Sequence, residues 1–205
     1  MRLLLSTPLV LGLLAACANP VNEHTAKRYY AAGEQAAKAG NLPLARENYR
    51  RALINAQIGH LGPEAEADAA GKLARIQGNL CEHDEAEKTF LYALGAQERA
   101  FGPDSPRTLG LRLELAQLAF DIGKFEKAAG YFEKAFSVGG SVLQSRMASG
   151  YADLLEDYAT ALSSSGRSAE AKSARARAHS LKQSGGSQGG IKSRSDYIPY
   201  PKTCK

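Results

Sequence analysis

The sequence predicts an all-α protein built as an array of about four helix pairs, an α-solenoid. Three observations carry that expectation. One thirteen-residue pattern is written four times, from Gly40 to Ala52, Cys81 to Ala93, Gly123 to Ala135 and Gly166 to Ala178. Its key alanines, Ala45, Ala86, Ala128 and Ala171, are 41, 42 and 43 residues apart. A regular period of this size marks stacked supersecondary units. Apolar and small positions recur at helical spacing on both sides of each punctuating Gly or polar residue. The composition, 44% hydrophobic and 23% charged over 205 residues, is that of an ordinary soluble domain.

The first 16 residues stand apart. Met1-Arg2 supplies a positive start, Leu3 to Leu14 is apolar with few interruptions, and Leu14-Ala15-Ala16-Cys17 follows. This reads as a secretory signal with a small-residue cleavage site rather than as fold material. A Cys directly after Leu-Ala-Ala resembles the lipobox of bacterial lipoproteins. That resemblance implies cleavage before Cys17, acylation of Cys17 and lasting membrane attachment, since stable anchoring takes more than one acyl chain. Two other readings are an ordinary secretory signal and an uncleaved anchor helix; Ser6, Thr7 and Pro8 weigh against the second. Ala18 after the Cys is similar to the pattern of lipoproteins sent to the outer membrane, so the expected location is the periplasmic face of that membrane. Residues 17–24 form the lipidated end and a linker. Ala18 to His24 spans at most ~25 Å when extended, which keeps the folded part near the lipid surface.

Residues 25–182 are predicted to form the array. The first helix of each pair precedes the punctuation: Lys27 to Ala39, Ala67 to Leu80, Leu109 to Ile122 and Ala152 to Ser165. The second follows it. Small residues, Gly33, Ala74, Ala116 and Ala159, fall 12 positions before each key alanine, and Tyr49, Phe90 and Phe132 follow it by four. Small residues let helices approach closely, and the aromatic fills the gap between neighbours. The pattern resembles tetratricopeptide repeats, and the long period with the linkers at His60-Leu-Gly-Pro and Phe101-Gly-Pro resembles the 42-residue variant of kinesin light chains. The resemblance implies a right-handed superhelical array. Two departures stand out. Cys81 replaces the Gly of the other repeats, so that turn must form without the residue that best tolerates positive φ. Arg175 occupies the fourth aromatic slot, a polar substitution suited to a terminal capping repeat.

Residues 183–205 change character, with Gly-Gly-Ser-Gln-Gly-Gly and then Tyr-Ile-Pro-Tyr-Pro. The composition predicts a disordered basic tail that buries little. Residues 166–205 hold nine Lys and Arg against two acidic residues, whereas residues 1–165 hold 17 against 19. Basic segments favour anionic lipid or acidic partners, and an exported protein rarely meets nucleic acid.

No constellation of nucleophile, base and orienting group stands out, so no enzyme, cofactor or small-molecule substrate is expected. Gly185-Gly-Ser-Gln-Gly189 matches a nucleophile-elbow pattern but lies in a Gly-rich tail without the strand and helix that motif needs. Cys81-Glu-His-Asp-Glu85 reads as an acidic helix start, and no metal site is expected. With Cys17 acylated, Cys81 and Cys204 are a candidate disulfide pair in an oxidising compartment. The other readings are a buried Cys81 with a free Cys204, and an intermolecular bridge.

By the resemblance, the first helices line a concave surface. Its inward positions include Lys27, Tyr30, Glu34, Lys38, Arg75, Asn79, Leu113, Gln117, Phe120 and Asp121, with Tyr30, Leu113 and Phe120 as apolar anchors. The Lys/Asn set that grips C-terminal carboxylates in chaperone-binding members is absent, and so is the paired Asn of kinesin light chains. The expected function is a membrane-anchored adaptor of the bacterial envelope that binds another protein or peptide segment. The alternative is a scaffold that holds an envelope polymer or anionic lipid through its basic end.

Overall fold

The computed structural model describes residues 19–146, 148–183 and 199–204. Among them the chain forms eight helices and no strand: α1 (Pro20–Lys38), α2 (Leu42–Ile58), α3 (Pro63–Asn79), α4 (His83–Phe101), α5 (Pro106–Asp121), α6 (Phe125–Arg146), α7 (Ala148–Ser164) and α8 (Ser168–Gln183). Each helix packs chiefly on its neighbours in sequence, as an array of antiparallel pairs requires. The lipobox and Cys17 lie outside the described residues.

Within each pair the turn is the same. The N–H groups of Asn41, Glu82, Lys124 and Arg167 reach back to the carbonyls of Ala36, Gln77, Ala119 and Leu162, at 2.8–2.9 Å. A second bond, of 3.0–3.2 Å, runs from the N–H groups of Gly40, Cys81, Gly123 and Gly166 to the carbonyl three residues earlier. This is the Schellman closure, which satisfies helix-end carbonyls through one left-handed residue. Three of the four have Gly there, with φ between 73° and 82°; the second has Cys81 at φ 60°. The second turn thus forms at an L-residue held in an unfavourable conformation.

Helix starts are set by short polar caps and prolines. The Asn19, Asn41 and Ser105 side chains accept the N–H groups of Val21, Leu44 and Thr108, each satisfying an orphan donor of the first turn. Pro20, Pro63 and Pro106 each open a helix, where their missing N–H is no loss. Asn19 and Pro20 correct the expected boundary at residue 25: α1 begins five residues earlier and takes most of the expected linker. Between the third and fourth pairs the sequence carries no proline, and α6 runs on to Arg146.

Each pair is built on its small residue and its aromatic. Tyr49, Phe90 and Phe132 are fully buried, each in a cluster with alanines of its own pair and apolar residues of the next. Arg175 instead lies exposed and donates to the Ser163 hydroxyl, so α8 packs through Ala171, Ala174 and Ala178, with Leu181 partly buried beside them. Gly33 is a close fit: a Cβ there would lie 2.8 Å from the Tyr49 ring. Alanine gains roughly 0.5–1 kcal/mol of helix preference over glycine, but overpacking of this kind costs about 1–3 kcal/mol. The clash wins, and Gly33→Ala is expected to lower the urea midpoint rather than raise it.

The expectation of a disordered tail over residues 183–205 that buries little fails at two places. Gln183, though exposed, is ordered as the last residue of α8, and Tyr200 is buried, only 6% exposed. The physical reason lies in the groove between α3 and α5.

Candidate functional site

Consecutive first helices approach one another less closely than the helices of a pair do. They are linked by ion pairs: Glu34 of α1 to Lys72 of α3 at 2.5 Å, Arg75 of α3 to Glu114 of α5 at 3.0 Å, and Glu64 of α3 to Arg107 of α5 at 2.8 Å. Between α1 and α3, with α2 as floor, lies an open cleft of about 340 Å³. Ala26, Tyr30, Ala52, Ala56, Ala65 and Ala69 form apolar walls, and Glu23, Lys27 and Asp68 stand among them as the charged groups. A volume at the small end of ligand pockets suits a few side chains of a docked segment.

Between α3 and α5 the equivalent space is filled by the chain itself. The Tyr200 ring lies against Gly78, where a Cβ would come within 2.7 Å of it. Its hydroxyl donates to Glu114 Oε2 at 3.0 Å, and its backbone N–H donates to Asp121 Oδ2 at 3.0 Å. His83 Nε2 lies 2.8 Å from the Pro201 carbonyl and donates to it. Cys204 is bonded to Cys81, with Cα atoms 5.8 Å apart. Burial, and then the neighbouring Glu114 carboxylate, push the Tyr200 hydroxyl well above the ordinary phenol range, so it stays a donor. Burial disfavours the charge on Arg75, but Glu114 outweighs it and the guanidinium's pKa is raised. Glu114 is therefore shared between Arg75 and Tyr200.

The ten expected groove residues divide accordingly. Lys27 and Tyr30 belong to the open cleft; Lys27 pairs with Glu23, and Tyr30 meets Tyr49 edge to face. Glu34 holds Lys72 and accepts the Tyr49 hydroxyl, while Lys38 is exposed at the end of α1. Arg75, Asn79, Gln117 and Asp121 are gathered at the tail site, where Gln117 donates to Asp121 and Asn79 donates to the Arg75 carbonyl. Leu113 and Phe120 are not anchors. Both pack in the α5–α7 core, Phe120 against Phe125 and Phe132. The reason is that α5 is apolar around most of its circumference, so periodicity alone cannot say which of its faces is free. His83, read as part of a helix start, and Gly78 and Tyr200, not singled out at all, are the residues sequence reasoning missed. A glycine inside a helical pattern was the available signal for Gly78.

The Lys72 ammonium lies against Glu34 and holds its carboxyl below the usual range, with the Tyr49 hydroxyl adding to the effect and burial opposing it. A depressed carboxylate contributes stability above its unfolded pKa and loses it as pH falls through the folded value. The link between the first two pairs is expected to weaken as pH drops through and below the ordinary carboxylate range near 4. Glu34→Gln should flatten that part of the decline in urea midpoint between pH 6 and 3, whereas an unchanged slope would contradict it.

Residues 65–138 match the family model of the tetratricopeptide repeat. Among solved structures, the chain is similar to BtubC (BKLC) from P. vanneervenii at 18% identity and a TM-score of 0.72, covering 89% of this chain and 72% of that one. A putative kinesin light chain with nearly identical TPR-like repeats from Podosopora anserina is similar at 15% identity and TM-score 0.66, covering 78% and 77%. MamA is similar at 14% identity and TM-score 0.59, covering 81% and 83%. These likenesses establish the all-α repeat array. No curated protein matches the chain.

Proposed function

We propose that this chain is a membrane-anchored adaptor of the bacterial cell envelope, which holds a partner protein or peptide segment in the groove of its first helices. The observation that carries the reading is the open cleft between α1 and α3: apolar walls with charged groups among them, the combination by which helices and extended segments are bound. Anchoring through Cys17 rests on Leu14-Ala15-Ala16-Cys17. The disulfide between Cys81 and Cys204 supports an oxidising compartment, where such bonds persist.

Two measurements test the reading. Radiolabelled palmitate should enter the wild-type chain and not Cys17→Ala. A photocrosslinker at position 27 should capture one recurrent envelope protein from intact cells, and Ala65→Trp, which fills the cleft, should abolish that product. Capture that ignores Ala65→Trp would sink the adaptor reading.

One observation favours the second reading, a basic surface for lipid or polymer. On α8, Lys172, Arg175, Arg177, His179 and Lys182 are all exposed, although Lys182 pairs with Asp153 and Arg177 stacks on Tyr151. Binding to anionic vesicles through this face should fall steeply between 50 and 300 mM salt, on the order of the shortening Debye length. Salt-independent binding would exclude it.

A further inference from the structure

The tail site is built more specifically than a strap requires. An apolar patch of the same shape would hold a strap as well as the half-buried Arg75–Glu114 pair does. Here Glu114 is aimed at a phenol hydroxyl, Asp121 at a backbone N–H and His83 at a backbone carbonyl. Gly78, a residue that weakens the helix carrying it, leaves the space the ring occupies. Pro201 has no N–H to satisfy. Every one of these contacts uses atoms that any tyrosine–proline segment possesses; only the bond to Cys204 is peculiar to this chain.

We propose that the cradle formed by Gly78, His83, Glu114 and Asp121 is a binding site for an extended segment with a tyrosine followed by a proline. Residues 199–204 fill it in cis, and a partner presenting the same segment takes the site in trans when the tail is out. The inference deepens the reading of the first-helix groove as a partner site and rests on it. A tethered segment has an effective concentration in the mM range, and the disulfide removes even that competition. A free peptide therefore meets an occupied site in the oxidised chain.

The test uses the full chain and a fluorescein-labelled peptide of residues 197–203, Tyr-Ile-Pro-Tyr-Pro-Lys-Thr, followed by fluorescence anisotropy. The Tyr200→Ala/Cys204→Ser chain should bind the peptide saturably, and the oxidised wild type at least about tenfold more weakly. Replacing the second tyrosine of the peptide by phenylalanine should weaken binding about tenfold or more, since a hydrogen bond to a carboxylate is lost. Adding Gly78→Val to the double variant should abolish binding while far-UV circular dichroism stays unchanged. No binding by a helical double variant, equal binding by the oxidised wild type, or indifference to the phenylalanine exchange would each overturn the proposal. If the peptide fails while the Ala65→Trp-sensitive crosslink persists, only this inference falls. If the peptide binds and no such crosslink forms, the adaptor reading falls instead.

Discussion

Phe132→Ala lowers the stability of the array by about 3–5 kcal/mol, the range for removing a buried aromatic from a packed core. Phe132 is fully buried, and its ring has Phe136 at 5.9 Å, Tyr158 at 6.1 Å and Phe120 at 6.4 Å. Those partners belong to α5, α6 and α7, so one ring joins the third pair to the fourth. In an array whose units touch only their neighbours, stability is the sum of unit and interface contributions. A lesion at an interface therefore uncouples units as well as weakening them. The expected signature in urea is an earlier transition that is also split or broadened in circular dichroism. A single transition at the wild-type midpoint would show that the interface contributes little.

Cys81→Gly is expected to change sign with the redox state of the solution. The bond from Cys81 to Cys204 spans a sequence separation of 123 residues, for which loop-closure entropy gives roughly 4–5 kcal/mol and measured cases about 2–4. Against it stands the left-handed backbone of Cys81 at φ 60°, a strain of about 1–2 kcal/mol that glycine does not carry. The bond is the larger effect, so without reductant the variant should be less stable by about 2–3 kcal/mol. With reductant the bond is gone from both proteins, and the variant should be more stable than wild type by about 1 kcal/mol. Urea midpoints measured with and without a phosphine reductant check both signs. A variant less stable under both conditions would mean that the strain at this turn is already relieved by other contacts.

The array was legible because its determinants are local and repeated. The key alanines, the small residues 12 positions before them and the aromatics four after appear in the buried clusters where the pattern puts them. Caps were less legible. Asn19 and Pro20 start α1 by side-chain chemistry that periodicity does not register, so the expected start fell at residue 25. The groove was legible in part. Register placed Arg75, Asn79, Gln117 and Asp121 on one surface, yet on α5 Leu113 turned out to be core and Phe120 to pack, partly buried, against it. Composition gave the wrong expectation for Tyr200. Ten or more polar and glycine residues around it outweigh one aromatic in any average, whereas a single ring in a fitted cradle is a specific, long-range event. The two cysteines left once Cys17 is acylated were the only long-range signal the sequence carried, and they left three readings open: an intramolecular bond, free thiols or an intermolecular bridge.

The bond between Cys81 and Cys204 also changes what kind of polymer this is. A linear stack of helix pairs has two ends, and ends open first. Here α4 through α8 lie within a covalent ring closed at Cys81 in the α3–α4 turn, while α1, α2 and α3 remain outside it. Opening of the α8 side leaves the ring shut, so its amides should exchange with solvent more slowly than their surface position suggests. The α1–α2 pair has no such restraint, and native-state hydrogen exchange should find it the first to open. Reduction should bring the exchange rates of the two ends closer together by accelerating only the α8 end.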